Sequence, residues 1–239
     1  MARRAHRVVV ISQSTRRDAI ELMGLDPARV RVVPNGLDPR FLEPCSAEAL
    51  TGFRERRGLA RPYVLFLSSG DPRKGLAEVC AAFRLATSRG LSGFDLVVAG
   101  AMPPGAGDLL ATAGDAERVR VMGIVGDTEI PLLLTGARCL LFASHYEGFG
   151  LPLLEAFACG TPVVACRNSS IPEVAGDAAI LTPTGDAEAL AEGLIRVEED
   201  PELRRIMVEQ GRQRCRQFTW ERAAELMVEV YQEAAEEGC

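Results

Sequence analysis

The stretch CLLFASHYEGFGLPLLEAFACGTPVVA, residues 139–165, holds two short apolar runs on either side of a glycine-rich turn and a helical segment. Residues 139–143 and 162–165 are apolar at successive positions, as in strands that are buried on both faces. Between them, Pro152 suits the first position of a helix, and Gly160 just before the second run ends that helix. The stretch therefore predicts a strand, a turn, a helix and a second strand.

The same alternation extends from about Pro62 to the end of the chain. The predicted strands are residues 63–67, 95–100, 119–122, 139–143, 162–165 and 179–181. The predicted helices are residues 75–87, 108–113, 128–135, 152–159, 187–198, 201–217 and 220 to about 236. Strands that are apolar on both faces and alternate with helices indicate a parallel sheet covered on both sides. We predict a Rossmann-like α/β domain.

The first 45 residues contain a separate pattern, with a strand at 8–11, a helix at 15–23 and a second strand at 30–33. One such βαβ unit is about a quarter of a doubly wound domain, so it cannot bury both faces of its strands alone. The remaining predicted segments are a linker with one short helix at 46–61, the main domain at 62–218 and a C-terminal helix at 219–239. The leftover apolar faces predict a chain that self-associates or needs a partner.

The composition excludes several classes of protein. The 239 residues carry a net charge of −6, with +4 in the first 40 residues and −10 in the rest, and this acidic body argues against nucleic-acid binding. Seven widely spaced cysteines without a CxxC pair favour a reduced cytosolic protein and no zinc site. No apolar run approaches the ~20 residues of a membrane span. We expect a cytoplasmic location, or a peripheral one at the inner membrane surface.

The turn before the helix at 152–159 predicts an anion site. Gly148 and Gly150 allow a tight turn and a close approach of backbone to ligand. Free N–H groups and the helix dipole then favour a phosphate. Glu147 and Glu155 flank the site, and such carboxylates accept hydrogen bonds from hydroxyl groups, which points to a sugar or a ribose. The simpler alternative is a glycine-rich turn with an acid stabilising the helix dipole.

A second polar loop, SSGDPRKG at residues 68–75, follows the strand at 63–67. Ligands of open parallel sheets bind at the carboxyl ends of strands, and the hydroxyls and cations of this loop suit a diphosphate. The loop matches neither the P-loop nor the GxGxxG pattern. Lys74 is the single lysine among 27 cationic residues, which makes a solvated surface role less plausible for it than for Arg73.

Together these motifs resemble the family-4 glycosyltransferases, the retaining enzymes of GT-B fold. The segment from Ser144 to Val164 resembles that family's EX7E segment. Further landmarks occur in the family's order: Ile11-Ser12, Val33 to Asp38, Asp71 to Lys74, Gly123 to Val125, Ile171 to Ala179 and Phe218 to Glu221. The Pro-Arg-Lys form is most similar to the mannosyltransferase-like branch.

The resemblance implies roles for these residues. Glu147, facing the transferred sugar, and Lys74, holding the diphosphate, would be catalytic. The implied donor-binding residues are Ser69, Arg73, Lys74, Ile124, Val125, Glu147, Gly148, Phe149, Gly150, Leu151 and Glu155. The donor would be a nucleotide-diphosphate sugar of the GDP-mannose or UDP-hexose type, and the acceptor a sugar or glycolipid. No metal and no cofactor would be required.

Two departures from the family pattern keep alternatives open. Ser68-Ser69 stands where many members carry Gly-Arg, so one phosphate-binding cation is missing. Residues 1–45 correspond only to the last βαβ unit of the family's N-terminal domain. We therefore expect a truncated or split glycosyltransferase that needs a separate N-terminal domain or a second copy. The alternatives are a donor-binding module without transfer activity, and a GT-B epimerase or phosphorylase.

Overall fold

The computed structural model describes Ala2 and residues 5–237, which form eight strands and ten α-helices. The strands are β1 (Val8–Val10), β2 (Val30–Val32), β3 (Tyr63–Ser69), β4 (Asp95–Ala101), β5 (Val119–Gly123), β6 (Cys139–Phe142), β7 (Val163–Cys166) and β8 (Ala179–Thr182). The helices are α1 (Gln13–Glu21), α2 (Ala47–Arg57), α3 (Leu76–Ser88), α4 (Ala106–Ala111), α5 (Ile130–Gly136), α6 (Leu151–Ala158), α7 (Ile171–Ala175), α8 (Ala187–Glu199), α9 (Pro201–Cys215) and α10 (Trp220–Glu237).

Six of the strands form one parallel sheet in the order β5-β4-β3-β6-β7-β8. Helices cover both faces of the sheet. Neighbouring residues of one strand therefore lie in two different cores, one on each face. Leu65 and Leu140 lie in one core, whereas Val64 and Leu141 lie in the other. The predicted fold class, a Rossmann-like parallel sheet with helices on both faces, is confirmed.

After β3 the chain adds β4 and β5 along one edge of β3. It then crosses back and adds β6, β7 and β8 along the other edge of β3. The order of strands therefore reverses between β3 and β6. Loops that leave two such strands at their carboxyl ends diverge to opposite faces and open a crevice, which is where open parallel sheets bind ligands.

The N-terminal βαβ unit forms a separate two-stranded parallel sheet in which Val8 pairs with Val30. The side chain of Ser12 accepts a hydrogen bond from the Thr15 amide and caps α1, so this helix begins two residues before the predicted start at 15. Ser14, the next serine along the chain, lies buried inside the helix.

The segment predicted as a linker with one short helix contains the 11-residue helix α2. Ser46 caps its start by accepting from the Ala49 amide, and Gly58 ends it in a left-handed conformation. Phe53 is fully buried in the core of the main sheet, and α2 packs on α5. Phe53 is the only buried residue of α2. The buried part of this helix is therefore one side chain and not an apolar stripe at helical spacing. The helix predicted in this segment is present, whereas the five-residue α7 was not predicted.

Helix α10 lies against the N-terminal unit. Ala223 and Val230 are buried with Val33, which follows β2. At the other end of the contact, the Glu233 carboxylate bridges two guanidinium groups, with Arg7 Nε at 2.9 Å and Arg31 Nε at 2.8 Å. The chain therefore returns from the main domain to its own N-terminal strands.

Replacing Phe53 by alanine tests whether α2 belongs to the core. Because the ring is fully buried, we expect F53A to lower the free energy of unfolding by about 3–5 kcal/mol, measured by urea denaturation. L42A, at a side chain that is 58% exposed, provides the control and should change it by less than about 1 kcal/mol. Equal effects of the two substitutions would show that the segment is a detached linker.

The strand faces expected to stay uncovered are largely buried, at Val10, Val30 and Val33, so the predicted self-association depends on exposed apolar side chains at the end of α1. Leu22 is 80% exposed and Met23 is 50% exposed. We expect the mass measured by light scattering to rise with protein concentration, and L22S to reduce that rise because it removes apolar surface. A mass that stays monomeric over the whole concentration range would contradict the prediction.

Candidate functional site

The candidate site lies at the carboxyl edge of the main sheet, where the loops after β3 and β6 meet. One part is an ion pair between these loops, next to the start of α6. The other part is a cavity of about 320 Å³ that reaches from β3 and β4 to α6. Most of the residues predicted from the sequence lie in one or other part.

Lys74 is presented by a short 3-10 turn, Pro72–Lys74, whose Asp71 cap accepts a hydrogen bond of 2.8 Å from the Arg73 amide. Gly75 then takes a positive φ of 77°, and a Cβ there would overlap the carbonyl oxygen of Ala143. This close approach draws the two loops together. As a result, Lys74 Nζ donates to Glu147 Oε1 at 2.6 Å.

Two serines hold the loop that carries Glu147. The Ser169 hydroxyl accepts from the Glu147 amide at 2.9 Å, and the buried Ser170 hydroxyl bonds the carbonyl oxygens of Glu147 and Phe149, each at 2.9 Å. Ser169 adopts a positive φ of 43°, which is uncommon for a residue other than glycine. Neither serine was predicted. Their position directly after β7, at the same edge of the sheet, is the signal that could have identified them.

The start of α6 offers backbone N–H groups to a ligand. Gly150 precedes the helix with a positive φ of 104°, and no side chain caps the helix there. The first amides of a helix have no partner within the helix and carry the positive end of its dipole. Leu151 therefore opens a site suited to an anion, as the sequence predicts. Phe149 is buried against Phe218, with ring centroids 5.6 Å apart.

Glu155, one turn into α6, lines the 320 Å³ cavity together with Ile124 and Val125. Burial raises the pKa of Glu155 to about 6, and Asp38 and Asp127 raise it further, whereas Arg40 opposes the shift. Arg40 also lines the cavity, although no sequence motif singles it out.

Ile124 and Ser68 contribute to this cavity in different ways. Ile124 is 84% exposed, so a flat apolar ligand can cover it. Ser68 lines the cavity and donates to the carbonyl oxygen of Ala101, whereas the predicted Ser69 is exposed and does not line it. Arg73 is paired with Asp71 at 2.6 Å and its side chain is 65% exposed, so it lies outside the Lys74–Glu147 pair.

The N-terminal unit touches the same loops. Thr15 Oγ1 donates to the Gly148 carbonyl at 3.2 Å, and the Tyr146 hydroxyl donates to Asp18. The Gln13 amide, at the start of α1, donates to Glu173 Oε1 at 2.9 Å. Two contacts therefore connect α1 to residues on either side of Glu147, and the third connects it to α7.

Within the part of the chain that the structure describes, no group of three or more His, Cys, Asp or Glu side chains is placed to hold a metal ion. Among the same residues, none of the helices has the length and apolar character to cross a bilayer. The six described cysteines are free thiols.

Comparison with known families decides which group of proteins the chain belongs to. The family described as "Glycosyl transferases group 1" matches residues 53–214, and the family described as "Glycosyltransferase Family 4" matches residues 1–41. The chain is a family-4-type glycosyltransferase. The resemblance predicted from its motifs is confirmed.

Several curated relatives of this glycosyltransferase are mannosyltransferases. It is 28% identical to the O-antigen chain mannosyltransferase B of Escherichia coli over 94% of its own length and 60% of that protein. It is 33% identical to the phosphatidyl-myo-inositol mannosyltransferase of Mycolicibacterium smegmatis, covering 94% of itself and 56% of that protein. The glycosyltransferase chain therefore spans between half and two thirds of the length of these relatives.

Solved structures share the fold of this glycosyltransferase. The sucrose-phosphate synthase of Thermosynechococcus elongatus superposes with a TM-score of 0.83 at 25% identity, covering 99% of this chain and 60% of that one. The Anabaena HepE protein in complex with UDP and glucose gives a TM-score of 0.83 at 22% identity, covering 98% and 64%.

The raised pKa of Glu155 makes a prediction for stability. Since the folded protein keeps a proton that the unfolded chain releases above its ordinary pKa of 4.5, the Glu155 contribution is most favourable below that pH and is lost as the pH rises through about 6. E155Q should therefore gain about 2 kcal/mol in free energy of unfolding relative to wild type between pH 4 and pH 7. Urea denaturation across that range measures it, and a pH-independent difference would contradict the prediction.

Proposed function

We propose that the site binds a nucleotide-diphosphate sugar and that the protein transfers its hexose to an acceptor with retention, without a metal ion. The observation that carries the proposal is the Lys74–Glu147 pair of 2.6 Å at the uncapped start of α6. It places a cation, an acceptor of hydroxyl hydrogen bonds and free backbone amides around one point. A phosphorylated sugar needs these three groups together.

Lys74 and the start of α6 would supply the electrostatic part of the reaction. When the bond between the anomeric carbon and the phosphate oxygen breaks, negative charge develops on the diphosphate. A preorganised ammonium group and helix amides stabilise that charge in the transition state. The aromatic face of Phe142 lies 5.5 Å from Lys74 Nζ and further fixes the position of the ammonium group.

Glu147 would face the transferred hexose. Its carboxylate is held by Lys74, and its backbone is held by Ser169 and Ser170. A carboxylate fixed in this way can accept hydrogen bonds from sugar hydroxyls, which orients the anomeric carbon towards the acceptor.

The 320 Å³ cavity would hold the nucleoside. Glu155, Ile124 and Val125 line this cavity. Glu155 would accept hydrogen bonds from ribose hydroxyls, and Ile124 and Val125 would lie along the base. Burial takes from the Glu155 carboxylate its hydrogen bonds with water. Ribose hydroxyls would replace these bonds, so ligand binding would favour the ionised form of Glu155. The backbone of Gly148, Phe149, Gly150 and Leu151 would meet the phosphate and the sugar.

The names of the relatives support the choice of substrates. Some curated relatives are mannosyltransferases, which favours mannose as the hexose, and HepE is bound to UDP and glucose, which keeps a UDP-hexose as the other donor type. Relatives named for an O-antigen chain and a phosphatidylinositol favour a sugar or glycolipid acceptor. A glycolipid acceptor would place the protein at the inner membrane surface.

Substitution of Lys74 by methionine tests the diphosphate site. Methionine keeps an apolar stem over Phe142 but removes the ammonium group, so K74M should weaken nucleoside-diphosphate binding by about 10- to 100-fold. The affinity for the corresponding nucleoside should stay unchanged. Calorimetry with GDP, UDP and their nucleosides measures both.

R84A is the matched control for K74M, because Arg84 is exposed on α3 and lies outside the site. It should leave both affinities within about twofold of wild type. If K74M and R84A behave alike, Lys74 does not hold the phosphates and the site assignment is wrong.

A further inference from the structure

A second and larger cavity opens at the opposite edge of the main sheet. Its volume is about 820 Å³, and it is bordered by residues that directly precede three strands: Pro62 before β3, Arg138 before β6 and Pro162 before β7. The candidate donor site lies at the other ends of the same strands. At roughly 3.3 Å per residue, the seven residues of β3 separate the two sites by about 20 Å.

Arginines dominate the lining of this cavity, which we call the arginine cavity. They are Arg54, Arg138, Arg204, Arg205, Arg212 and Arg216. The carboxylates within ion-pair distance of these arginines, among the described residues, are Glu198, Glu202 and Glu209. Six guanidinium groups and three carboxylates leave an excess of three positive charges. The whole chain carries −6, so this concentration of cations is local.

Two of the arginines have no partner of their own. Within residues 5–237, the side chains of Arg212 and Arg216 make no hydrogen bond and no ion pair. Arg54 donates to the carbonyl oxygens of Leu59 and Arg61, each at 3.1 Å, and among the described residues no carboxylate pairs with it. These three guanidinium groups supply unneutralised charge.

The helix dipole accounts for only part of the cluster. Arg212 and Arg216 lie at the C-terminal end of α9, where cations interact favourably with the dipole. Arg54 belongs to α2 and Arg138 directly precedes β6. The dipole of α9 therefore does not explain why these two arginines are present. Three chain segments, namely α2, the residue before β6 and α9 with its C-cap, therefore bring cations to one concavity.

The shape of the cavity and the kind of cation indicate the ligand. Guanidinium groups present a planar fork of donors that matches phosphate oxygens, and several of them together favour clustered phosphates. The volume falls within the range of small-molecule pockets. Gly160, with a positive φ of 73°, has no side chain to obstruct it, and the Arg212 guanidinium lies over this glycine.

We propose that the arginine cavity binds a small molecule carrying two or more phosphate groups, at a site separate from the donor site. With the donor bound as proposed above, the sugar is transferred at Glu147, about a strand length away, so the ligand of the arginine cavity is separate from the transferred sugar. The concave form fits a soluble polyphosphate better than the flat surface of a bilayer.

The test uses inorganic tripolyphosphate as the probe, titrated by calorimetry at low ionic strength into the K74M protein, in which the donor site is weakened. We expect saturable binding of one molecule per chain. R212Q/R216Q should lower that affinity at least about tenfold, because two charge-assisted interactions are lost. The charge-matched control R17Q/R84Q, at exposed positions outside the cavity, should stay within about twofold.

Three results would overturn the proposal. The first is the absence of saturable binding, and the second is an equal loss in the two double variants, which would indicate a general effect of net charge. The third is binding to phosphatidylglycerol vesicles that depends on Arg212 and Arg216, without binding of tripolyphosphate, which would indicate a membrane face instead. GDP binding to R212Q/R216Q reports on the donor site independently, so the two proposals fail separately.

Discussion

The absence of a side chain at Gly75 is the constraint on which the candidate site depends. The loop after β3 and the loop after β6 leave neighbouring strands and diverge, because the order of strands reverses between them. Gly75 brings them into contact, since its backbone lies where any Cβ would overlap the Ala143 carbonyl oxygen. Its left-handed φ of 77° also turns the chain from the Lys74 turn into α3. Lys74 and Glu147, 73 residues apart, meet as a consequence.

Two carboxylates lie beside the start of a helix, which favours anions. They differ in how their charge is compensated. Glu147 is neutralised by Lys74, which is the single lysine of the chain. Glu155 is partly buried without an ion pair, and its pKa rises to about 6 as a result. A buried acid of this kind destabilises the folded protein near neutral pH, and a ligand with hydroxyl groups removes that cost. The unfavourable environment of Glu155 is therefore an argument for a ligand beside it.

Sequence patterns predicted the strands of the main sheet closely, because strands buried on both faces appear as apolar runs. They were less informative where a single residue decides the packing. Helix α2 is held by Phe53, and its only other large apolar residue is Leu50, which is too few apolar positions to show a helical period. Side chains alternate between the two faces at the last residues of β3, so only one of Ser68 and Ser69 can face the cavity. The composition of the loop does not show which of the two does.

Lys74 could be selected in advance because composition isolates it, whereas Ser169, Ser170 and Arg40 could not. Hydroxyl residues are common in loops, and 26 of the 27 cationic residues are arginine, so residue type alone does not distinguish these side chains. Their roles follow from distances across the fold. Ser170 reaches back 23 residues to the Glu147 carbonyl, and Arg40 approaches Glu155 from the turn after β2.

The contacts between α1 and the loop of Glu147 relate the N-terminal unit to the site. The Thr15 hydroxyl bonds the Gly148 carbonyl, and the Glu173 carboxylate accepts the first amide of α1, where it also meets the positive end of that helix dipole. Any shift of α1 against the main sheet must break or re-form bonds to the backbone that surrounds Glu147. The N-terminal unit and the candidate catalytic loop are therefore joined directly, by the hydrogen bonds of Thr15 to the Gly148 carbonyl and of Tyr146 to Asp18.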